Sequence, residues 1–190
     1  MKIRLLICVL VVGLGTTASA TLVAPPSLDE LVARADIVFE GTVVDVRSSW
    51  RETREGRVIM SDVTFRVARG FKGDPSQQVV LEMFGGTIGK DTMRIAGMPA
   101  FATGDHDVLF VRRGDTSGLP LVGLMYGRFK VSRTPAGQDM VTTFDGRAIN
   151  GIATIGTTPR ARAEVGTGMT LDTFAAEISQ RVRGRNAANR

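Results

Sequence analysis

The chain has little of what usually marks an active site. Among its 190 residues there is one cysteine, one histidine, one tryptophan and one tyrosine, and aromatic residues make up 6%. The cysteine, Cys8, lies in an N-terminal apolar run with no small-residue lipobox before it, so no disulfide can form within the chain and no lipoprotein anchor is expected. A zinc site needs three or four nitrogen or sulfur ligands, and the single imidazole, His106, cannot supply them. No serine stands in a G-x-S-x-G sequence, the local signature of a nucleophile elbow. No motif for a cofactor is present. After the first twenty residues there is no apolar run long enough to span a bilayer.

What is present begins with Lys2 and Arg4, then an almost wholly apolar stretch from Ile3 to Leu14, then small residues ending at Ala18-Ser19-Ala20. A positive start, a short apolar core and small residues at the cleavage positions read as a secretory signal peptide over residues 1–20. This predicts export, to the periplasm or outside the cell. The remaining roughly 170 residues suit one domain held by an ordinary hydrophobic core. The formal charge of +5 is unevenly placed: Lys2 and Arg4 leave with the signal, and from Arg160 onward six arginines face only Glu164, Asp172 and Glu177. The middle of the chain is near neutral. The basic tail at residues 184–190 is expected to be a solvated terminus, the alternative being contact with anionic lipid or another polyanion.

Residues 21–26, with Pro25-Pro26, read as an extended lead-in. Ser27-Leu28-Asp29-Glu30 has the spacing of a capping box, and Leu28, Leu31, Val32 and Ala35 share one helical face, predicting a short amphipathic helix that ends near Asp36. The period then changes to two. One strand is expected from about Ile37 to Ser48, a charged turn over Glu52–Arg57, a second strand over Val58–Gly73 and a third over Gln77–Gly86. Residues 85–106 carry no period. A fourth strand starts at His106, and a fifth covers Leu121–Arg133 with Gly123 and Gly127 inside it as bulges or bends. A short sixth strand starts at Asp139. Residues 145–168 read as a loop or flexible connector, and Thr170 caps a helix over residues 169–183 whose face of Leu171, Phe174, Ala175 and Ile178 should dock on the rest. The expected fold for residues 27–144 is mainly β: a five- to six-stranded antiparallel OB-like barrel, flanked by the N-terminal and C-terminal helices. A β-sandwich is the rival.

The stretches "LVARADIVFEGTVVDV", "FKG", "FGG", "GMPAFATGDHDVLFV" and "GLMYGRFKV", taken together, resemble a family of small exported bacterial proteins. The resemblance covers about Leu28 to Val131 and the C-terminal helix, and it implies no established activity. The implied fold is similar to the netrin-like barrels, which include the tissue inhibitors of metalloproteinases. Those inhibitors set an N-terminal cysteine on the protease zinc. Here the expected mature start is near Thr21 and no cysteine follows Cys8. The resemblance therefore implies a scaffold and not that mechanism.

Four chemistries each have a simpler reading beside them. Gly85 to Lys90 approaches a phosphate loop, but only three residues separate Gly85 from Gly89, and Asp91 follows the lysine where Ser or Thr is needed. The glycines are read as turn formers. Asp105, His106 and Asp107 carry donor atoms, yet alternate side chains of an extended segment point to opposite faces, so no metal site is expected there. Acidic residues are scattered and form no evident catalytic pair. Nucleic acid is not an expected partner, because the barrel is near neutral and exported. What remains is the loop surface. Met98, Pro99 and Phe101, with Gly85, Gly86, His106 and the lone Trp50, are the candidate contacts to a protein partner in the envelope or outside the cell. Phe101 has a second reading as a core side chain sealing the barrel end. The expected function is an exported, non-enzymatic binding or accessory module that needs no cofactor. The alternatives are a modulator of an extracellular protease and a small hydrolase or metal-dependent enzyme.

Overall fold

The structure, a computed structural model, describes residues 25–54, 56–114, 117–157 and 168–188. The expected signal peptide, Cys8, most of the lead-in, residues 158–167 of the expected connector and the last two residues of the tail lie outside the described residues.

The capping box forms as its spacing requires. The Ser27 hydroxyl accepts from the Glu30 N–H at 3.3 Å, and the Ser27 N–H donates to the Glu30 carboxylate at 2.8 Å. It starts α1 (Leu28–Arg34), which buries Leu28, Leu31 and Val32. The Lys72 ammonium closes the far end by donating to the Val32 and Ala35 carbonyls at 2.8 and 2.5 Å, a cation where the helix dipole favours one.

Next, β1 (Ile37–Thr53) and β2 (Gly56–Lys72), 17 residues each, form one long antiparallel hairpin. The register shifts between Val38/Phe39, Glu40/Gly41 and Val43/Asp45 mark where the hairpin bends, the extra residue lying on β2 in the first two and on β1 in the third. Then come β3 (Gln78–Phe84), a small hairpin of β4 (Gly86–Ile88) and β5 (Asp91–Met93), β6 (His106–Val111), β7 (Arg128–Arg133), β8 (Asp139–Thr143), β9 (Met169–Thr170) and α2 (Leu171–Ala188). The main sheet is antiparallel with the order β3-β2-β1-β6-β7-β8-β9. The end strands β3 and β9 do not pair with each other among the described residues. The pairings form a seven-stranded antiparallel sheet, and no barrel closure is found among the described residues.

Several elements differ from the sequence expectation. The aperiodic stretch after β3 contains the β4–β5 hairpin, turned by Gly89 at φ +59° and Lys90; glycine at the first turn position suits this two-residue connection. The expected fifth strand is broken. Gly123 (φ +67°) and Leu124 (φ +58°) reverse the chain into a 3₁₀ turn, Leu124–Gly127, and regular pairing resumes only at Arg128. The expected connector holds a bridge at Ala148 and a 3₁₀ turn at Ile152–Thr154. The C-terminal helix continues through Ala188, into what had read as tail.

The core lies on both faces of the sheet. Adjacent β6 residues go to opposite sides: Val108 and Phe110 join α1 and α2, while Leu109 and Val111 join β2, β3 and the loop carrying Met98 and Phe101. β1 does the same with Val38 and Phe39. Burial on two sides explains why β6 and the start of β1 read as continuous apolar runs. Edge-on aromatic pairs extend through each cluster, Phe39–Phe65 at 5.7 Å on one side and Phe110–Phe129 at 5.6 Å on the other. Among the described residues no helix is long and apolar enough to cross a membrane.

Candidate functional site

Where β1 and β2 run past the edge of the second cluster, Ser48 and Ser61 stand opposite each other in register. Their hydroxyls are 2.9 Å apart, and Ser61 Oγ donates to the Gly85 carbonyl at 2.6 Å. The chain reverses there through Gly85 (φ +100°) and Gly86 (φ +141°). A Cβ on Gly86 would lie 2.3 Å from Ser61 Oγ and 2.4 Å from Ser48 Oγ, so only glycine can follow this path so close to the hydroxyl pair. The β4–β5 hairpin then lies over β2, where the Ile59 N–H donates to Met93 Sδ at 3.3 Å. Residues 94–101 return across the opening. Between these parts is a cleft of about 660 Å³, with an apolar wall that includes Met83, Met93, Met98 and Phe101 and with the Ser48–Ser61 pair among its polar lining.

Five of the seven sequence candidates line this one cleft: Gly85, Gly86, Met98, Pro99 and Phe101. The Phe101 ring meets Phe65 of the core edge-on at 5.3 Å, and the residue also lines the cleft. Trp50 and His106 are not in the lining. Trp50 sits near the far end of β1, 38% exposed, with the Arg57 guanidinium 4.5 Å above its ring. His106 starts β6 and turns to Glu40 on β1, with Nε2 3.1 Å from Oε1.

The "GDHD" segment divides by face, as an extended chain must. Asp105 and Asp107 turn to one residue the sequence reading missed, Arg128. Arg128 is 3% exposed and Asp107 fully buried. Arg128 donates to Asp107 through Nε at 2.8 Å and NH2 at 3.0 Å, to Asp105 at 2.8 Å and to the Ala100 carbonyl at 2.6 Å. Its guanidinium also stacks 4.0 Å over the Phe101 ring. One buried cation thus ties the cleft loop to β6 and β7. Burial pushes the Asp107 carboxyl up from its ordinary range, and the Arg128 hydrogen bonds oppose that shift. Two acids flanking one histidine were the available signal: close to a buried strand, such a pair needs a cation.

On the other face, Glu40 is nearly buried and takes Arg69 at 2.8 Å as well as His106. The hydrogen bond from His106 holds the Glu40 carboxyl below its ordinary value, and the same bond raises His106. The imidazole is thereby committed to a structural pair, and the cleft hydroxyls have no imidazole beside them. The near-phosphate-loop string forms the β4–β5 hairpin with Gly89 at its tip, and a strand follows Lys90 where a phosphate loop would open a helix. Among the described residues no group of three or more His, Cys, Asp or Glu side chains is placed to hold a metal ion. No protein-family model matches the sequence, and no curated protein matches it.

Proposed function

We propose that this chain is an exported, non-enzymatic binding or accessory module of the cell envelope, and that the cleft between β2, the β4–β5 hairpin and the 94–101 loop grips an extended apolar segment of a protein partner. The observation that carries this reading is the convergence of Gly85, Gly86, Met98, Pro99 and Phe101 on one open cleft. Its wall suits such a segment. Thioether side chains adapt to varied apolar shapes, and the Ser48 hydroxyl, its proton given to Ser61, can accept a hydrogen bond from a backbone N–H. The loop is pre-ordered by Arg128, which lowers the entropic cost of binding. Export rests on the N-terminal sequence. An OB-like barrel left open beside residues 78–82 is the fold reading that goes with this proposal: β1 and β2 are long and bulged, and the Phe84 N–H donates to the Gly118 carbonyl at 3.2 Å, drawing the segment after β6 toward one end of β3.

A photo-crosslinking residue at Met98 should give an adduct with a defined envelope protein, whereas the same residue at Trp50 should not. Filling the cleft with Ala100→Trp should abolish the Met98 adduct while leaving the fold intact. Turnover of ester, peptide or glycoside substrates that disappears in Ser48→Ala or Ser61→Ala would overturn the reading.

A further inference from the structure

The outer edge of β3 carries an inference separate from the cleft. The Phe84 N–H points away from β2, because it donates to Gly118 O. Backbone direction alternates along an antiparallel strand, so Gln78, Val80 and Glu82 also turn their N–H and C=O groups outward. The opposite parity holds on both flanks, with the Gly85 N–H donating to Ile59 O at 2.8 Å and the Val67 N–H donating to Gln77 O at 2.9 Å. β3 ends the sheet; the Gly118 carbonyl occupies this edge at Phe84, and no described strand covers it over residues 78–82. A bare edge of this kind is a template for another strand.

The side chains along the edge are ordered by charge. Val80 is 57% exposed at its centre, between exposed Gln78 and Glu82. Beside them on β2 stand Arg66 next to Gln78, Thr64 next to Val80 and Asp62 next to Glu82. The Gln78 end therefore carries Arg66, the Glu82 end carries two acids with Arg47 opposite Asp62 on β1, and an apolar residue stands in the middle. Arg66 and Asp62 form no ion pair with a described residue. Glu82 meets Arg51 at 3.1 Å, with side-chain exposures of 45% and 52%; an exposed pair of this kind is weak and can be shared.

We propose that β3 pairs antiparallel with β3 of a second copy about a two-fold axis through Val80. In this register Val80 faces Val80 of the second copy, and Gln78 faces Glu82 of the second copy. The outward groups of Gln78, Val80 and Glu82 then make up to about six backbone hydrogen bonds. Arg66 lies two strand spacings, about 10 Å, from Glu82 of the second copy, within the combined reach of the two side chains. A one-residue slip sets outward groups against inward ones and loses the ladder. The occupant is a second copy because the edge is complementary to itself under a two-fold rotation, as an isologous contact requires.

Sedimentation equilibrium of the purified full chain should show a concentration-dependent monomer–dimer exchange. Hydrogen exchange should show the Gln78, Val80 and Glu82 amides gaining protection as concentration rises. Val80→Lys and Glu82→Arg should each weaken dimerisation by at least about tenfold, and adding Arg66→Glu to Glu82→Arg should restore it. These side chains are exposed, so the thermal midpoint of the dilute monomer should hardly move. A chain that remains monomeric at all concentrations overturns the proposal. So does a dimer that survives Val80→Lys, or one that the reversed pair fails to restore. A monomer whose β3 amides are protected only by an added extended peptide overturns it as well, and assigns the edge to another protein.

Discussion

His106 is the only imidazole in the chain, and its bond to Glu40 sets a pH window for stability. His106 is raised above its ordinary 6.5 by the hydrogen bond to Glu40. Its contribution is therefore full below pH 6.5 and is lost as pH rises through the folded-state value. Glu40 is held below its ordinary 4.5 by the hydrogen bond from His106, so its contribution is present above pH 4.5 and is lost as pH falls through the lowered value. The pair stabilises most between these limits. His106→Gln should flatten the alkaline arm of the curve, a change on the order of 1 kcal/mol, read as denaturant midpoints across a pH series. An unchanged slope would assign the arm to other groups. Arg128 behaves differently because it is buried with its partner. Asp107→Asn leaves the guanidinium short of a charge and should cost about 3 kcal/mol, whereas Asp107→Leu combined with Arg128→Met should cost less than the two single changes added together. A double-mutant cycle by chemical denaturation measures the difference.

At the scale of elements, the small hairpin that closes the cleft depends on two glycines for different reasons. Gly89 has φ +59° and open space where a Cβ would go, so Gly89→Ala should cost only the left-handed strain, about 1 kcal/mol. Gly86 combines φ +141° with hydroxyls 2.3 and 2.4 Å from the missing Cβ. Gly86→Ala should cost at least about 2 kcal/mol and displace the hairpin, seen as a larger fall in thermal midpoint and loss of the Ile59 amide protection that the Met93 contact provides. Such short hairpins are hard to read in a sequence. Three residues a side leave no room for alternation, and the glycines at 85, 86 and 89 mark turns without fixing which residues pair. The elements that were legible are those whose signal is local: the capping box at Ser27, the alternation around Val63 and Phe65, and the helical face of Phe174 and Ile178. The cleft was partly legible, because its glycines, Pro99 and Phe101 sit on one connection. Arg128 and Glu40 were not. Their partners lie 21 and 66 residues away in sequence, and only the folded sheet brings β6 beside β1 and β7. The break in the expected fifth strand was half visible, since Gly123 and Gly127 marked a bend but not its direction.

At the scale of the whole molecule, the two apolar clusters share their strands. Val38 and Phe110 pack beneath the helices, while their immediate neighbours Phe39 and Leu109 pack on the opposite face. A strand cannot lose its order on one face and keep it on the other, so the two clusters should unfold as one cooperative unit. Phe174 on α2 tests this, because it is fully buried and its ring packs at a tilt against Phe129, 4.8 Å between centroids. Phe174→Ala removes a large core side chain on the helix side only and should cost about 3 to 5 kcal/mol. Trp50, the single tryptophan, lies far along the β1–β2 hairpin and outside the helix-side cluster. Its fluorescence therefore reports the opposite end of the sheet, while circular dichroism reports the whole. If the strands couple the clusters, the fluorescence and dichroism transitions of Phe174→Ala shift together and by the same amount. A tryptophan transition that stays at the wild-type midpoint while dichroism shifts would mean that the β1–β2–β3 side folds alone. The cleft would then rest on an independent unit, and α2 would be a cover rather than part of the framework that holds the 94–101 loop in place.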